Sequence, residues 1–310
     1  MTDGHRQQHL MRGILLIVSA VFLFSSMDTL AKLMLKRYPL PPLIWARYSV
    51  HLVFMVVLLA PRMGLRLVRT KRPGWQLLRG LLLVASTAFF YLALRHMPLA
   101  QAAAITFVAP VLVTALSGPM LGERVAPRQW AAVILGFVGV LIIVRPHGGV
   151  VGFGAIFPLI TALLFALYQI MTRQLAGREN AFTTLFYTAL VGTVASSLAL
   201  PVAWQTPTAA QAGLMIAIGC LGGLGHFLLI RAVEIASPST LAPFVYTQLM
   251  WSTLLAFVVF HDFPDLGSLV GMLIIVGAGL LAISWRRASH PSEPSRRQLP
   301  LVTHRCPDRP

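Results

Sequence analysis

Apolar runs of membrane-spanning length, each closed by a short break rich in polar residues, Pro or Gly, recur ten times between residues 13 and 285. A helix needs about 20 largely apolar residues to cross the hydrocarbon core. The pattern predicts spans at 13–35, 42–60, 75–95, 99–121, 128–144, 152–174, 181–200, 210–232, 237–260 and 267–285. The last part of the first five repeats in the second five at a constant offset of 139: Ala93 meets Ala232, Ala103 meets Ala242, Thr114 meets Thr253, Leu116 meets Leu255 and Glu123 meets Asp262. Five is an odd number, so the second copy enters the membrane opposite to the first, as in the inverted repeats of secondary transporters. The expected fold is an all-α polytopic membrane protein, ten transmembrane helices in two inverted five-helix repeats at 12–146 and 150–285. Residues 286–310 carry Arg, Ser and five prolines with few apolar side chains and read as a disordered cytoplasmic tail.

Composition agrees with the pattern. Of 310 residues 57% are hydrophobic and 11% charged, with a mean hydropathy of +0.76, well above the apolar share of about 45 to 50% in soluble domains. A net charge of +16 would suggest nucleic acid in a soluble chain, but its distribution follows the spans. With the N-terminus in the cytoplasm, most of the Lys and Arg falls on inner segments, notably Arg62, Arg66, Arg69, Lys71 and Arg72, whereas the outer loops hold Lys36, Arg37, Arg95 and Arg145. The positive-inside rule then places both termini in the cytoplasm of an inner-membrane protein. Nucleic acid is not an expected partner; the lipid bilayer and a small-molecule substrate are, and a homodimer stays open. Cys220 and Cys306 give no disulfide framework. The basic, apolar N-terminus contains Asp28 and Lys32 and reads as a first transmembrane helix, not a cleaved signal.

Ionisable groups at membrane depth are expensive and need a partner, a wet cavity or a task. Asp28 lies fifteen residues past Gly13, about 22 Å along a helix. Lys32 follows at i+4, where an Asp–Lys pair can form. Arg47 and His51 on the second span enter at similar depth. Two readings compete: an ion-pair cluster clamping the first two helices, and a substrate or proton site built from Asp28, Lys32 and Arg47. Tyr91 and Thr106 reach the same half, although an aromatic near the interface is often a belt anchor. The second copy offers Tyr168, Gln169, His226, Tyr246, Gln248 and Trp251; Gln169, Tyr246 and Gln248 are candidate cavity residues, with interhelical hydrogen bonding as the competing role. Pro110 and Pro243 remove backbone donors inside their spans and are candidate kinks or gates. Glu123 and Asp262, at corresponding turns, read as helix-end caps.

Several of these features together resemble the drug/metabolite transporter superfamily, EamA type, over residues 12 to 285. The resemblance rests on Tyr91-Leu-Ala-Leu-Arg-His-Met-Pro98 leading to Pro110, on Leu121-Gly-Glu-Arg124 and on Gly136-Phe-Val-Gly139. In the second copy it rests on Arg231-Ala232, Asp262 and Gly271. That copy departs in carrying Asp262 for Glu123 and lacks the preceding Leu-Gly. The resemblance implies a carrier of small metabolites, amino-acid-like or S-adenosylmethionine-like, working by alternating access. A membrane-embedded enzyme needs paired carboxylates, an HExxH helix or clustered histidines, and the sequence has none; a nontransporting scaffold needs a folded soluble extension. No cofactor and no metal site is expected.

Overall fold

The computed structural model describes residues 3–122, 127–144, 152–175, 177–236 and 238–289. Glu123 and residues 290–310 of the expected tail therefore lie outside the described residues. All regular structure among those described is helical: α1 (Asp3–Leu35), α2 (Leu40–Met63), α3 (Pro73–His96), α4 (Leu99–Thr106), α5 (Ala109–Leu121), α6 (Pro127–Val144), α7 (Ile156–Leu175), α8 (Ala181–Ser197), α9 (Leu200–Ala203), α10 (Ala209–Ile235), α11 (Pro238–Val245), α12 (Thr247–Phe260) and α13 (Leu266–Ser289), with short 3₁₀ turns at Gly64–Leu67 and Gly152–Ala155. Helix ends fall where local chemistry puts them. Pro73 occupies the first turn of α3, where a missing N–H costs nothing. Thr208 and Gln211 form a reciprocal capping box at the start of α10.

Among the described residues seven helical stretches are long and apolar enough to cross a membrane: Leu10–Leu35, Leu40–Leu67, Pro73–His96, Leu99–Leu121, Phe153–Leu175, Ala209–Ile235 and Pro243–Phe260. Three further apolar helices, Trp130–Val144, Ala181–Ser197 and Leu266–Leu281, are shorter. Three stretches add detail to the hydropathy reading. The span expected at 99–121 is recovered as Leu99–Leu121 and is broken within into α4 and α5, where the chain turns at Phe107 and Val108. The stretch expected at 237–260 is likewise divided at Tyr246 into α11 and α12. The last helix runs to Ser289, so the tail boundary expected at residue 286 falls inside α13.

Small residues set the packing. α1 and α10 run antiparallel, with Gly13 against Ala236, Phe24 against Gly225 and Met27 against Gly222. α3 and α7 do the same through Ser86 and Thr161 and through Arg79 and Tyr168. α2 lies parallel to α10, with Val50 against Gly219 and Phe54 against Gly223; α8 lies parallel to α3, with Val191 against Gly80 and Thr184 beside Gln76. Exchanging the halves therefore maps these four helix pairings onto one another in two couples, and the 139-residue offset carries Gly80 onto Gly219. Two pairings map onto themselves: α2 against α8, where Tyr48 covers Gly192, and α6 against α13, where Gly139 meets Gly271. The two broken stretches meet as well. Phe107 and Tyr246, related by the same offset, touch with ring centroids 5.4 Å apart.

Candidate functional site

The first polar group lies where α1, α2, α3 and α10 converge. Asp28 is buried on α1, and the charge that acts on it is the Arg47 guanidinium of α2. Arg47 lies between two aromatic faces, 5.6 Å from the Tyr48 centroid and 5.8 Å from that of Tyr91. Such placement is favourable for a guanidinium once water is excluded. The Tyr48 hydroxyl is held 2.8 Å from Thr87 Oγ1, fixing the ring beneath Arg47. Tyr91 is fully buried, and its hydroxyl lies beside the Arg47 guanidinium, which acts on it. One turn along α2, His51 stacks on His226 of α10 at 5.5 Å and 5°, and His51 Nε2 has no hydrogen-bond partner among the described residues.

Lys32 does not join this group. The expected i,i+4 pair with Asp28 is replaced by a hydrogen bond from Lys32 Nζ to the Met97 carbonyl at 2.7 Å, with the ammonium 5.4 Å from the Phe260 centroid. Met97, the residue that caps α3, is buried, and its carbonyl accepts from the Lys32 ammonium of α1. The proximity of Asp28 and Lys32 along one helix is thus outweighed by a neighbour from another.

The other sequence candidates are dispersed. Thr106 bonds back to Ala102 O at 2.9 Å, at the end of α4. Pro110 stands in the first turn of α5, and Pro243 lies inside α11, three residues before the break at Tyr246. Tyr246 packs on Phe107, with its hydroxyl against Gly279 of α13. The backbone carbonyl of Gln248 accepts from Ser25 Oγ at 3.3 Å, and Ser25 also meets Ser252 at 3.1 Å, tying α12 to α1 one turn from Asp28. Gln169 is half-buried on α7 with no hydrogen-bond partner among the described residues. Trp251 packs edge-on against Phe22.

A second polar group was not singled out from the sequence. Arg79, 3% exposed, joins α3 to α7 and α8: Nε donates to Thr172 Oγ1 at 2.7 Å, one terminal nitrogen to Thr184 O at 2.9 Å and Thr188 Oγ1 at 2.6 Å, and the other to Tyr168 OH at 2.8 Å. All four acceptors are neutral. The signal was available: an arginine six residues into an apolar helix meets the same depth criterion that picked out Asp28.

Two cavities, of about 570 and 550 Å³, open side by side at the end where α1, α3 and α12 finish. The first is lined by Lys32, Lys36, Arg95, His96 and Asp262 among others; the second shares Lys36 and Arg95 and adds Arg37, Tyr38 and Gln205. Tyr38, in the turn between α1 and α2, donates its hydroxyl to the Gln205 carbonyl, and burial raises its pKa above the ordinary tyrosine value. It stays a donor. Among the described residues no group of three or more His, Cys, Asp or Glu side chains could hold a metal ion.

Comparison with known proteins adds an independent line. The sequence profile of the EamA-like transporter family matches twice, over residues 11–145 and 152–284. An S-adenosylmethionine uptake transporter of Rickettsia bellii is 32% identical over 220 residues, covering 71% of this chain and 76% of the relative. A riboflavin transporter of Rhizobium johnstonii is 28% identical over 270 residues, covering 86% and 89%. A protein of known crystal structure shares the fold with a TM-score of 0.64 at 20% identity, over 89% of this chain and 98% of that one.

Proposed function

The chain belongs to the EamA-like transporter family, a small-metabolite transporter of the drug/metabolite superfamily with one family unit in each half, and on that premise we propose that it moves a small polar solute with an amino-acid head by alternating access. S-adenosylmethionine and simple amino acids are the solutes to try first. The observation that carries this reading is the Asp28–Arg47–Tyr91 group, with Asp28 and Tyr91 buried and Arg47 half-buried, set where α1, α2 and α3 of the first half meet α10 of the second. A carboxylate, a guanidinium and a phenolic hydroxyl can engage the ammonium and carboxylate of such a head. A site between repeats is where rocking of one half against the other changes access.

In this reading the seven longer and three shorter apolar helical stretches act as ten transmembrane segments in two inverted repeats, with both termini on the cytoplasmic side of the inner membrane. The breaks near Pro110 and Pro243 serve as the flexible points of the fourth and ninth segments. Asp28, Arg47, Tyr91, Tyr246 and Gln248 lie on the path of the solute, and Thr106 and Gln169 flank it. The purified chain in proteoliposomes, given labelled S-adenosylmethionine, L-methionine and riboflavin in turn, tests this directly. Saturable uptake of the first, competed by the second, is the expected result; uptake of riboflavin alone would overturn the amino-acid head. An imposed pH gradient that drives accumulation would point to proton coupling, and indifference to it, to exchange.

A further inference from the structure

The mouth of the larger cavity carries more positive charge than anything beside it neutralises. Lys32 reaches its floor, 8% exposed and bonded to the Met97 carbonyl. Lys36, just past the end of α1, stands 5.0 Å from the Phe260 centroid and has no hydrogen-bond or ion-pair partner among the described residues. Arg95 closes the wall from the end of α3, donating to Tyr38 O at 3.1 Å and leaving most of its fork open. Against these three cations stands one carboxylate, Asp262, just past α12. A space of about 570 Å³ falls within the range of small-molecule sites, and the asymmetry of its charge defines what fits: an anionic group facing Lys36 and Arg95, with a cationic group toward Asp262.

We infer that this vestibule is a binding site for the ammonium–carboxylate head of a free α-amino acid or of a larger solute bearing one, separate from the Asp28 group. It captures the solute before translocation. Lys36 and Arg95 hold the carboxylate, Asp262 holds the ammonium, and Lys32 fixes the floor. The inference rests on the transport reading for its substrate class and adds a second station with its own residues. Phosphate on a lipid headgroup could satisfy the same cations, and the experiment separates the two sources.

Lys36→Gln and Asp262→Asn alter groups that are exposed or half-exposed, so the variants should fold; the melting temperature of the detergent-purified chain checks this. Uptake of S-adenosylmethionine should show a half-saturation concentration raised about tenfold, the scale of one lost charge-assisted hydrogen bond, with maximal rate nearly kept. Binding of 5′-methylthioadenosine, which keeps the nucleoside and lacks the amino-acid head, should not change. Unaltered half-saturation in both variants overturns the vestibule and leaves the transport reading standing. Should the unaltered chain transport no solute with an amino-acid head, the transport reading falls. The vestibule is then judged on equilibrium binding of L-methionine: binding weakened by Lys36→Gln supports it, and no binding overturns it. Displacement of bound L-methionine by phosphatidylglycerol in lipid nanodiscs, but not by free phosphate, would make a lipid the occupant and overturn the solute site.

Discussion

Arg47, not Lys32, is the charge that acts on Asp28, and this reverses an expectation drawn from helix spacing. Asp28→Asn removes the acid on which the half-buried Arg47 acts; expression and melting temperature should both fall. Adding Arg47→Met should restore folding while transport stays lost, whereas adding Lys32→Met should restore neither, since Lys32 Nζ serves the Met97 carbonyl. Fluorescence-detected size exclusion beside an uptake assay separates the two effects, and rescue by Lys32→Met would refute the geometry. Arg79 makes a second residue-scale test. Its planar fork reaches four acceptors on two other helices, and a lysine cannot reproduce that reach. Arg79→Lys should lower the melting temperature nearly as far as Arg79→Ala. The sequence showed that Asp28, Arg47 and Tyr91 needed company, because burial in apolar surroundings can be read from their neighbours. It could not show which partner each finds, because helix rotation is set by packing between distant segments.

At the scale of helices, close approach depends on missing side chains. A Cβ at Gly192 would run into the Tyr48 ring, and that ring both bonds Thr87 and lies under Arg47. Gly192→Ala should therefore cost about 1–3 kcal/mol through overpacking and reduce transport by displacing Arg47, although residue 192 lies on α8 and belongs to no polar group. A chemical-denaturation midpoint and an uptake rate measured on the same preparation check this; normal transport at reduced stability would limit the glycine to packing. Helix existence and approximate extent were legible, since apolar runs of about 20 residues admit few other solutions. The breaks at Phe107 and Tyr246 were only half legible. Pro110 and Pro243 signalled a disturbance, but the chain turns three residues before the first and three after the second, where a freed carbonyl can be met locally.

For the whole molecule, the repeat written as a 139-residue offset reappears in the main helix pairings, which trade places when the halves are exchanged. Helix directions follow from it; which face of the membrane each end meets does not, and the charge count supplies that expectation. Reporter fusions active only in the cytoplasm, placed after Lys71, Arg178 and Arg287, should be active, and one after His147 silent; the opposite pattern would invert every assignment of inside and outside. The vestibule stayed hidden from sequence reading because Lys36, Arg95 and Asp262 come from three separate turns, each unremarkable alone. The contact between Phe107 and Tyr246 has a mechanical meaning. In the alternating-access reading the two breaks act as elbows that lean on one another, so that straightening one pushes on the other. A membrane gate built this way resists having both doors ajar, so trimming Tyr246 to Ala should show first as leakage of protons through resting vesicles, before any change in affinity for cargo.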